Sequence, residues 1–170
     1  MYAKSIKLLA GLFACVLVSA CWESEYPLLT GEGLVMPLES STGNLLLTCG
    51  DDETVPLVIG ETHASYGFMV ELSMVSLDME EDGHPLYLVQ AEFAGGDDYF
   101  YQIIGLSSDM QDLMGLKPIE DYAKAEFKSR EALMEAATDM VTQNMFSLEQ
   151  CALTEASDSE VLTLFRRQLN

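Results

Sequence analysis

The sequence predicts an α+β fold in which an antiparallel sheet of about six strands is followed by two or three helices. Short apolar runs, several with period-two alternation, are separated by turn-forming residues between positions 34 and 106. From residue 107 onward, apolar residues recur at helical spacing instead. The chain of 170 residues suits one domain with a sizeable core.

The first predicted strands are short and apolar. They are residues 34 to 38 (LVMPL), 44 to 49 (NLLLTC) and 55 to 59 (VPLVI). The segments ESSTG and GDDET between them have the composition of loops. Because Pro56 cannot donate a ladder hydrogen bond, its strand is expected at an edge of the sheet or at a strand start.

The middle of the chain predicts an antiparallel meander. Residues 66 to 78 (YGFMVELSMVSLD) and 85 to 93 (PLYLVQAEF) alternate with a period of two, and residues 99 to 106 (YFYQIIGL) follow the turn-forming AGGDD. Short turns join the three segments, so we expect them to pair antiparallel, with one face of the sheet in contact with water.

Three later segments have helical character: residues 107 to 116 (SSDMQDLMGL), 129 to 145 (SREALMEAATDMVTQNM) and 158 to 169 (DSEVLTLFRRQL). Ser129 and Asp158 are the expected N-caps of the last two helices. A strand is expected at residues 148 to 153, and residues 121 to 127 alternate weakly. The pattern therefore predicts two tandem strand-helix units at the C-terminus.

The N-terminus has the pattern of an export signal. Lys4 and Lys7 precede an apolar run that ends at the small residues Ser19 and Ala20. The run has roughly half of the ~20 apolar residues that are needed to cross a bilayer. Residues 1 to 20 are therefore predicted to be a cleaved signal peptide.

Residues 18 to 21, VSAC, resemble the lipobox of bacterial lipoproteins, in which an aliphatic and two small residues precede a cysteine. The resemblance implies that the Cys21 thiol receives a diacylglycerol, that the chain is cut before Cys21, and that the new amino group is acylated with a chain such as palmitate. Cys15 fits less well, because Phe13 stands where a small residue is expected. Trp22 stands where Asp marks inner-membrane retention in enteric-type lipoproteins, which implies an outer-membrane protein facing the periplasm.

The mature chain is expected to consist of a tether and one domain. Residues 21 to 33 (CWESEYPLLTGEG) are polar and rich in turn formers, so we expect them to hold the domain away from the bilayer. Residues 34 to 170 are expected to form the single α+β domain.

Two of the four cysteines remain after removal of Cys15 with the signal peptide and lipidation of Cys21. In an oxidising compartment we expect Cys49 and Cys151 to form a disulfide. The chain-entropy model assigns about 4 to 5 kcal/mol to a ring of this size. The alternative is a pair of buried thiols that pack as small apolar side chains.

The charge of the chain is negative and unevenly distributed. The formal net charge is -20. No Lys or Arg lies between Cys21 and Leu116, where 18 Asp and Glu residues lie, and the basic residues of the mature chain begin at Lys117. Three interpretations remain open: a solvated surface suited to a saline habitat, a docking surface for a basic protein, or divalent-cation binding. Nucleic acid is disfavoured as a partner, because phosphate contacts require Lys and Arg.

The nearest approach to a metal motif is DMEEDGH, residues 78 to 84, which matches the first half of an EF-hand loop. Its twelfth position is Val89, where calcium binding requires a bidentate Glu. A β-hairpin turn at Asp82 and Gly83 is therefore the preferred interpretation.

Catalytic motifs are equally incomplete. THASYG, residues 62 to 67, resembles part of a nucleophile elbow around Ser65, but His63 replaces its first glycine and no helix follows. His63 and His84, the two histidines of the chain, both flank turns, where a surface histidine is the ordinary expectation. The sequence predicts no catalytic residue, no metal site and no cofactor.

These observations predict a non-catalytic binding or scaffolding module, anchored to the lipid bilayer through Cys21. The acidic segment 31 to 116 is its expected contact surface, and an inhibitor or adaptor of a basic envelope protein is the specific hypothesis. One alternative is a carboxylate-based hydrolase that uses Glu61, Glu71 or Glu92, which requires two carboxyl groups about 5 to 10 Å apart in a cleft. Weak divalent-cation binding is the other.

Overall fold

A computed structural model describes residues 22 to 37, 43 to 50, 54 to 59, 64 to 66, 70 to 119 and 125 to 168. Within these ranges the fold is mostly β. The strands are β1 (Trp22–Ser24), β2 (Leu34–Val35), β3 (Asn44–Cys49), β4 (Val55–Ile59), β5 (Ala64–Tyr66), β6 (Val70–Glu81), β7 (His84–Phe93), β8 (Tyr99–Leu106), β9 (Asp112–Pro118) and β10 (Phe146–Ala156). The helices are α1 (Arg130–Thr142) and α2 (Asp158–Gln168).

Eight strands form a closed antiparallel barrel. Each strand from β3 to β10 pairs with the next one along the chain, and β10 pairs back with β3 to close the ring. β1 is an extra strand on β8, and the two-residue β2 pairs with β6. The predicted α+β fold with an antiparallel sheet of about six strands is therefore wrong, because the pairing between the first and last barrel strands leaves no local signature in the sequence.

The predicted helix at residues 107 to 116 is also wrong, since most of this segment belongs to β9. Leu113 lies inside the barrel, whereas Met114 and Leu116 lie outside it, beneath α1. Because both faces of β9 are buried, its apolar residues do not alternate with polar ones. The two tandem strand-helix units are wrong as well. Residues 125 to 127 make only an isolated bridge, between Glu126 and Glu23, and β10 is a barrel strand that pairs with both β9 and β3.

The β6–β7 hairpin turns as predicted. Glu81 pairs with His84, and the two turn residues, Asp82 and Gly83, have φ values of 48° and 78°. Positive φ at both positions is the type I′ geometry that suits a two-residue hairpin. The hairpin interpretation of DMEEDGH is thus confirmed.

Most of the barrel interior is apolar. One cluster of buried side chains receives residues from all eight barrel strands, and such a cluster can only lie inside the ring. Its members are Leu45, Leu47, Cys49, Leu57, Ala64, Met74, Val89, Ile104, Leu106, Leu113, Cys151 and Leu153. An eight-stranded barrel is just wide enough for side chains to fill it or for one small ligand.

A second apolar cluster covers the outer face of β6 to β9. It combines outward-facing side chains of these strands with those of α1 and of the N-terminal segment, including Trp22, Leu29, Leu88, Ile103, Leu116, Leu133 and Met140. Ser129 caps α1 as predicted, since its hydroxyl accepts a hydrogen bond from the Ala132 amide at 3.2 Å. The cap of α2 is Ser157 in place of the expected Asp158, because Ser157 and Glu160 form a reciprocal capping box.

The N-terminal segment is packed on the barrel wall where a tether was expected. Trp22 is only 1% exposed and pairs with Tyr101 across β1 and β8. The Leu28 amide donates to the Tyr101 hydroxyl at 3.0 Å, and the Leu29 amide donates to Gln90 Oε1 at 2.9 Å. Residues 22 to 29 therefore belong to the folded body.

Candidate functional site

The predicted disulfide partners occupy directly paired positions. Cys49 on β3 faces Cys151 on β10, their Cα atoms are 4.1 Å apart, and a disulfide joins them inside the barrel. Both side chains are buried. The disulfide therefore links β3 to β10, the two strands whose pairing closes the barrel; we call this pairing the seam. Cys21, the predicted lipidation site, lies outside the described residues.

Three polar side chains point into the barrel close to this disulfide. Gln102 alternates along β8 with the outward-facing Tyr101 and Ile103, and Lys117 follows the outward-facing Leu116. Glu149 precedes the inward-facing Cys151 by two residues on β10. Inward positions of neighbouring strands bring these side chains together.

The polar side chains make one ion pair and leave two atoms unpartnered. Lys117 Nζ lies 3.0 Å from Glu149 Oε1. Glu149 Oε2 and Gln102 Nε2 are shielded from solvent and have no hydrogen-bond partner among the described residues. The missing side chain of Gly115 leaves room for the Gln102 amide, whose Nε2 would lie 3.0 Å from a Cβ atom there. The cluster thus presents one acceptor and one donor, which together suit a hydroxyl group or a water molecule.

We expect Lys117→Met to lower the free energy of unfolding by about 2 kcal/mol, because it leaves the Glu149 carboxylate unpaired in the barrel. The two side chains are 22% and 23% exposed, so the loss is smaller than for a fully buried pair. Urea unfolding followed by circular dichroism measures it.

The double variant Lys117→Met/Glu149→Leu is the matched control for this loss. Removing both charges is expected to restore at least half of the lost stability. A double variant less stable than Lys117→Met alone would contradict the assigned cost of an unpaired carboxylate.

A second feature is a concentration of carboxyl groups at one end of the barrel, which we call the acidic end. It combines the β6–β7 hairpin with the β8–β9 loop, which are neighbours because Leu86 pairs with Gly105. Its members are Asp78, Glu80, Glu81, Asp82, Asp109 and Asp112. All of these residues except the half-buried Glu81 are exposed.

Hydrogen bonds hold the β8–β9 loop of the acidic end. The Ser107 hydroxyl accepts from the Gln111 and Asp112 amides at 3.1 and 2.9 Å. Asp109 Oδ1 accepts from the Gln111 amide at 3.3 Å. Hydrogen bonds from the Ser107 side chain and then from the Gln111 backbone hold the pKa of Asp109 below its ordinary value. Asp109 therefore retains its negative charge further into acid than an ordinary aspartate.

Two of the carboxylates considered for a hydrolase are neighbours on the outer wall. Glu71 and Glu92 occupy paired positions on β6 and β7, with Cβ atoms about 5 Å apart for such pairs. Both side chains are exposed, and both alternate with the inward-facing Leu72 and Ala91, so they lie on the convex surface of the barrel. Glu61 lies outside the described residues.

The remaining sequence candidates lie apart from one another. Ser65 is in the middle of β5, paired with Glu71, and His63 lies outside the described residues. His84 begins β7, and its Nδ1 is 3.1 Å from the Asp82 carbonyl oxygen. Within the described ranges, no group of three or more His, Cys, Asp or Glu side chains is arranged to hold a metal ion. Neither α1 nor α2 has the length and apolar character of a membrane-spanning helix.

The sequence interpretation missed the Lys117–Glu149–Gln102 cluster. Each of the three polar residues lies two positions from a buried residue on the inward face of its own strand: Ile104, Gly115 and Cys151, respectively for Gln102, Lys117 and Glu149. The inward face of each strand must be known before these positions can be recognised. Comparison with protein-family models, with curated proteins and with solved structures finds no match for this chain.

Proposed function

We propose that this protein is a lipid-anchored, non-catalytic binding protein of a bacterial envelope, whose acidic end contacts a basic protein. In this proposal Cys21 carries the acyl chains, the anchor lies in the outer membrane, and the barrel faces the periplasm. The protein acts by occupying its partner, as an inhibitor or an adaptor.

The observation that carries the proposal is the one-signed charge of the acidic end. Two adjacent loops place their exposed carboxylates at the same end of the barrel, on a chain that has no Lys or Arg between residues 21 and 116. A surface of one sign speeds encounter with an oppositely charged partner and rejects partners of its own sign.

The fold supports a preformed contact surface. The ring of barrel strands is closed, and the β6–β7 hairpin ends in a tight type I′ turn. Exposed side chains on such a scaffold lose little backbone freedom when a partner binds, and this lowers the entropic cost of association.

The test is retention of envelope proteins by the immobilised full-length protein at two ionic strengths. We expect a basic protein to bind at low salt and to be retained at least about tenfold less at 1 M salt, where the Debye length is only about 3 Å. The variant Asp78→Asn/Glu80→Gln/Asp82→Asn should lose the same protein. Asn tolerates the positive φ that Asp78 and Asp82 adopt, so the hairpin is retained.

The matched control is Glu92→Gln/Asp97→Asn/Asp98→Asn, which removes the same number of charges near the opposite end of β7 and in the β7–β8 loop. It should retain the partner as the unchanged protein does. Retention of one set of proteins by all three proteins, or equal retention at both ionic strengths, would contradict the proposal.

A further inference from the structure

The covalent link between Cys21 and Trp22 limits the distance between the barrel and the membrane; this rests on the proposed lipidation of Cys21. Cys21 is bonded to Trp22, so their Cα atoms are about 3.8 Å apart. Trp22 is 1% exposed and is the first residue of β1. The lipid attachment point is therefore one residue from the packed wall of the barrel.

Trp22 is held from two sides. β1 pairs with β8 through Trp22, Glu23 and Ser24. On the other side, the Trp22 ring makes an edge contact with Phe127, at 5.4 Å between ring centroids, and the Phe127 amide donates to the Glu23 carbonyl at 3.2 Å. These contacts fix Trp22 on the barrel, so no flexible linker precedes the packed wall after residue 21.

The surface around this point carries both charges and an aromatic side chain. Glu23, Glu25, Glu126 and Lys128 are exposed, and Tyr26 is 61% exposed. Tyrosine is favoured at the level of lipid headgroups, and lysine is attracted to anionic headgroups, whereas the three glutamates are repelled by them. The short distance between Cys21 and the packed Trp22 therefore favours contact with the bilayer, whereas the charge of the surrounding surface does not.

We propose that the barrel lies directly on the bilayer that carries the acyl chains, with its wall at Trp22 as the point of contact. Gln90 pairs with Tyr101 and is level with Trp22, and Gly83 of the hairpin turn precedes Gln90 by seven residues, just before the start of β7. At about 3.4 Å per residue, this turn is about 24 Å from the level of Trp22. The acidic end is thus held within about 30 Å of the bilayer surface. A basic partner bound there therefore lies within about 30 Å of the bilayer surface.

The single tryptophan of the chain makes this proposal measurable. The acylated full-length protein is reconstituted into phosphatidylethanolamine and phosphatidylglycerol vesicles that contain lipid with a nitroxide-labelled headgroup. The matched control carries a ten-residue Gly-Ser insertion between Cys21 and Trp22, which adds about 17 Å of root-mean-square length. We expect strong quenching of Trp22 fluorescence in the natural protein and loss of more than half of this quenching in the insertion variant.

Vesicle flotation and the mass of the N-terminal peptide separate the two proposals. An acylated protein that floats with vesicles but shows no quenching would overturn the direct contact and leave the lipid anchor intact. Equal quenching with and without the insertion would assign the contact to surface attraction and overturn the role of the short anchor. An N-terminal peptide without acyl chains would overturn both.

Discussion

Replacement of both barrel cysteines, Cys49→Ala/Cys151→Ala, is expected to lower the free energy of unfolding by about 4 kcal/mol. The disulfide joins residues 102 positions apart, and a ring of that size removes much of the conformational freedom of the unfolded chain. The bond also lies in the buried interior, so its removal leaves unfilled space among the neighbouring leucines. Denaturant unfolding of the protein, followed by circular dichroism, measures the loss.

Reduction of the natural protein is the control for this prediction. With a thiol reductant, the denaturant midpoint of the natural protein should approach that of the double variant. The reductant should leave the midpoint of the variant unchanged. A loss below about 1 kcal/mol would mean that the unfolded chain is already as compact as the cross-linked one.

Trp22→Ala is expected to lower the free energy of unfolding by about 3 kcal/mol, which is the second large effect that we predict. The indole is buried between β8 and Phe127, and removal of a buried aromatic side chain loses both its transfer free energy and its packing. Circular dichroism is the appropriate probe, because the variant lacks the tryptophan that fluorescence would follow.

Tyr26→Ala is the matched control, since it removes an aromatic side chain from the same segment. Tyr26 is 61% exposed, so its replacement should change stability by less than about 0.5 kcal/mol. Equal losses for Trp22→Ala and Tyr26→Ala would contradict the packing of β1 as a structural part of the domain.

Local elements were largely predictable from local pattern. The predicted strands at residues 44 to 49, 55 to 59 and 99 to 106 coincide with β3, β4 and β8, and α1 begins after its predicted cap. These strands and this helix can be recognised in the sequence because alternation, turn residues and capping depend on neighbours in the chain.

Barrel closure and the position of the N-terminal segment were not predictable in this way. Closure depends on β3 and β10, which lie far apart in the sequence. Residues 22 to 33 are polar on average, yet Trp22 and Leu29 are each 1% exposed, and β1 pairing and backbone hydrogen bonds to Tyr101 and Gln90 hold the segment on the wall as well. Composition describes the average of a segment and does not reveal such anchors.

Some candidate sites could likewise be identified from the sequence, and one could be identified only from the structure. The signal peptide and the lipobox resemblance removed Cys15 and Cys21 from the count and left Cys49 and Cys151 as the expected pair, and the distribution of charge was visible without coordinates. The Lys117–Glu149 pair requires knowledge of which side of β9 and β10 faces inward, because both strands have apolar residues on their two faces.

The seam between β3 and β10 also sets the order in which the molecule is completed. A chain that emerges from N- to C-terminus presents β3 early, but its second ring partner is available only after residue 156 has emerged. Until then the strands form an open ladder, and pairings over so long a separation are slow to form. The thiols of Cys49 and Cys151 meet at this step, so formation of the disulfide reports that the chain through β10 has emerged and that the ring has closed.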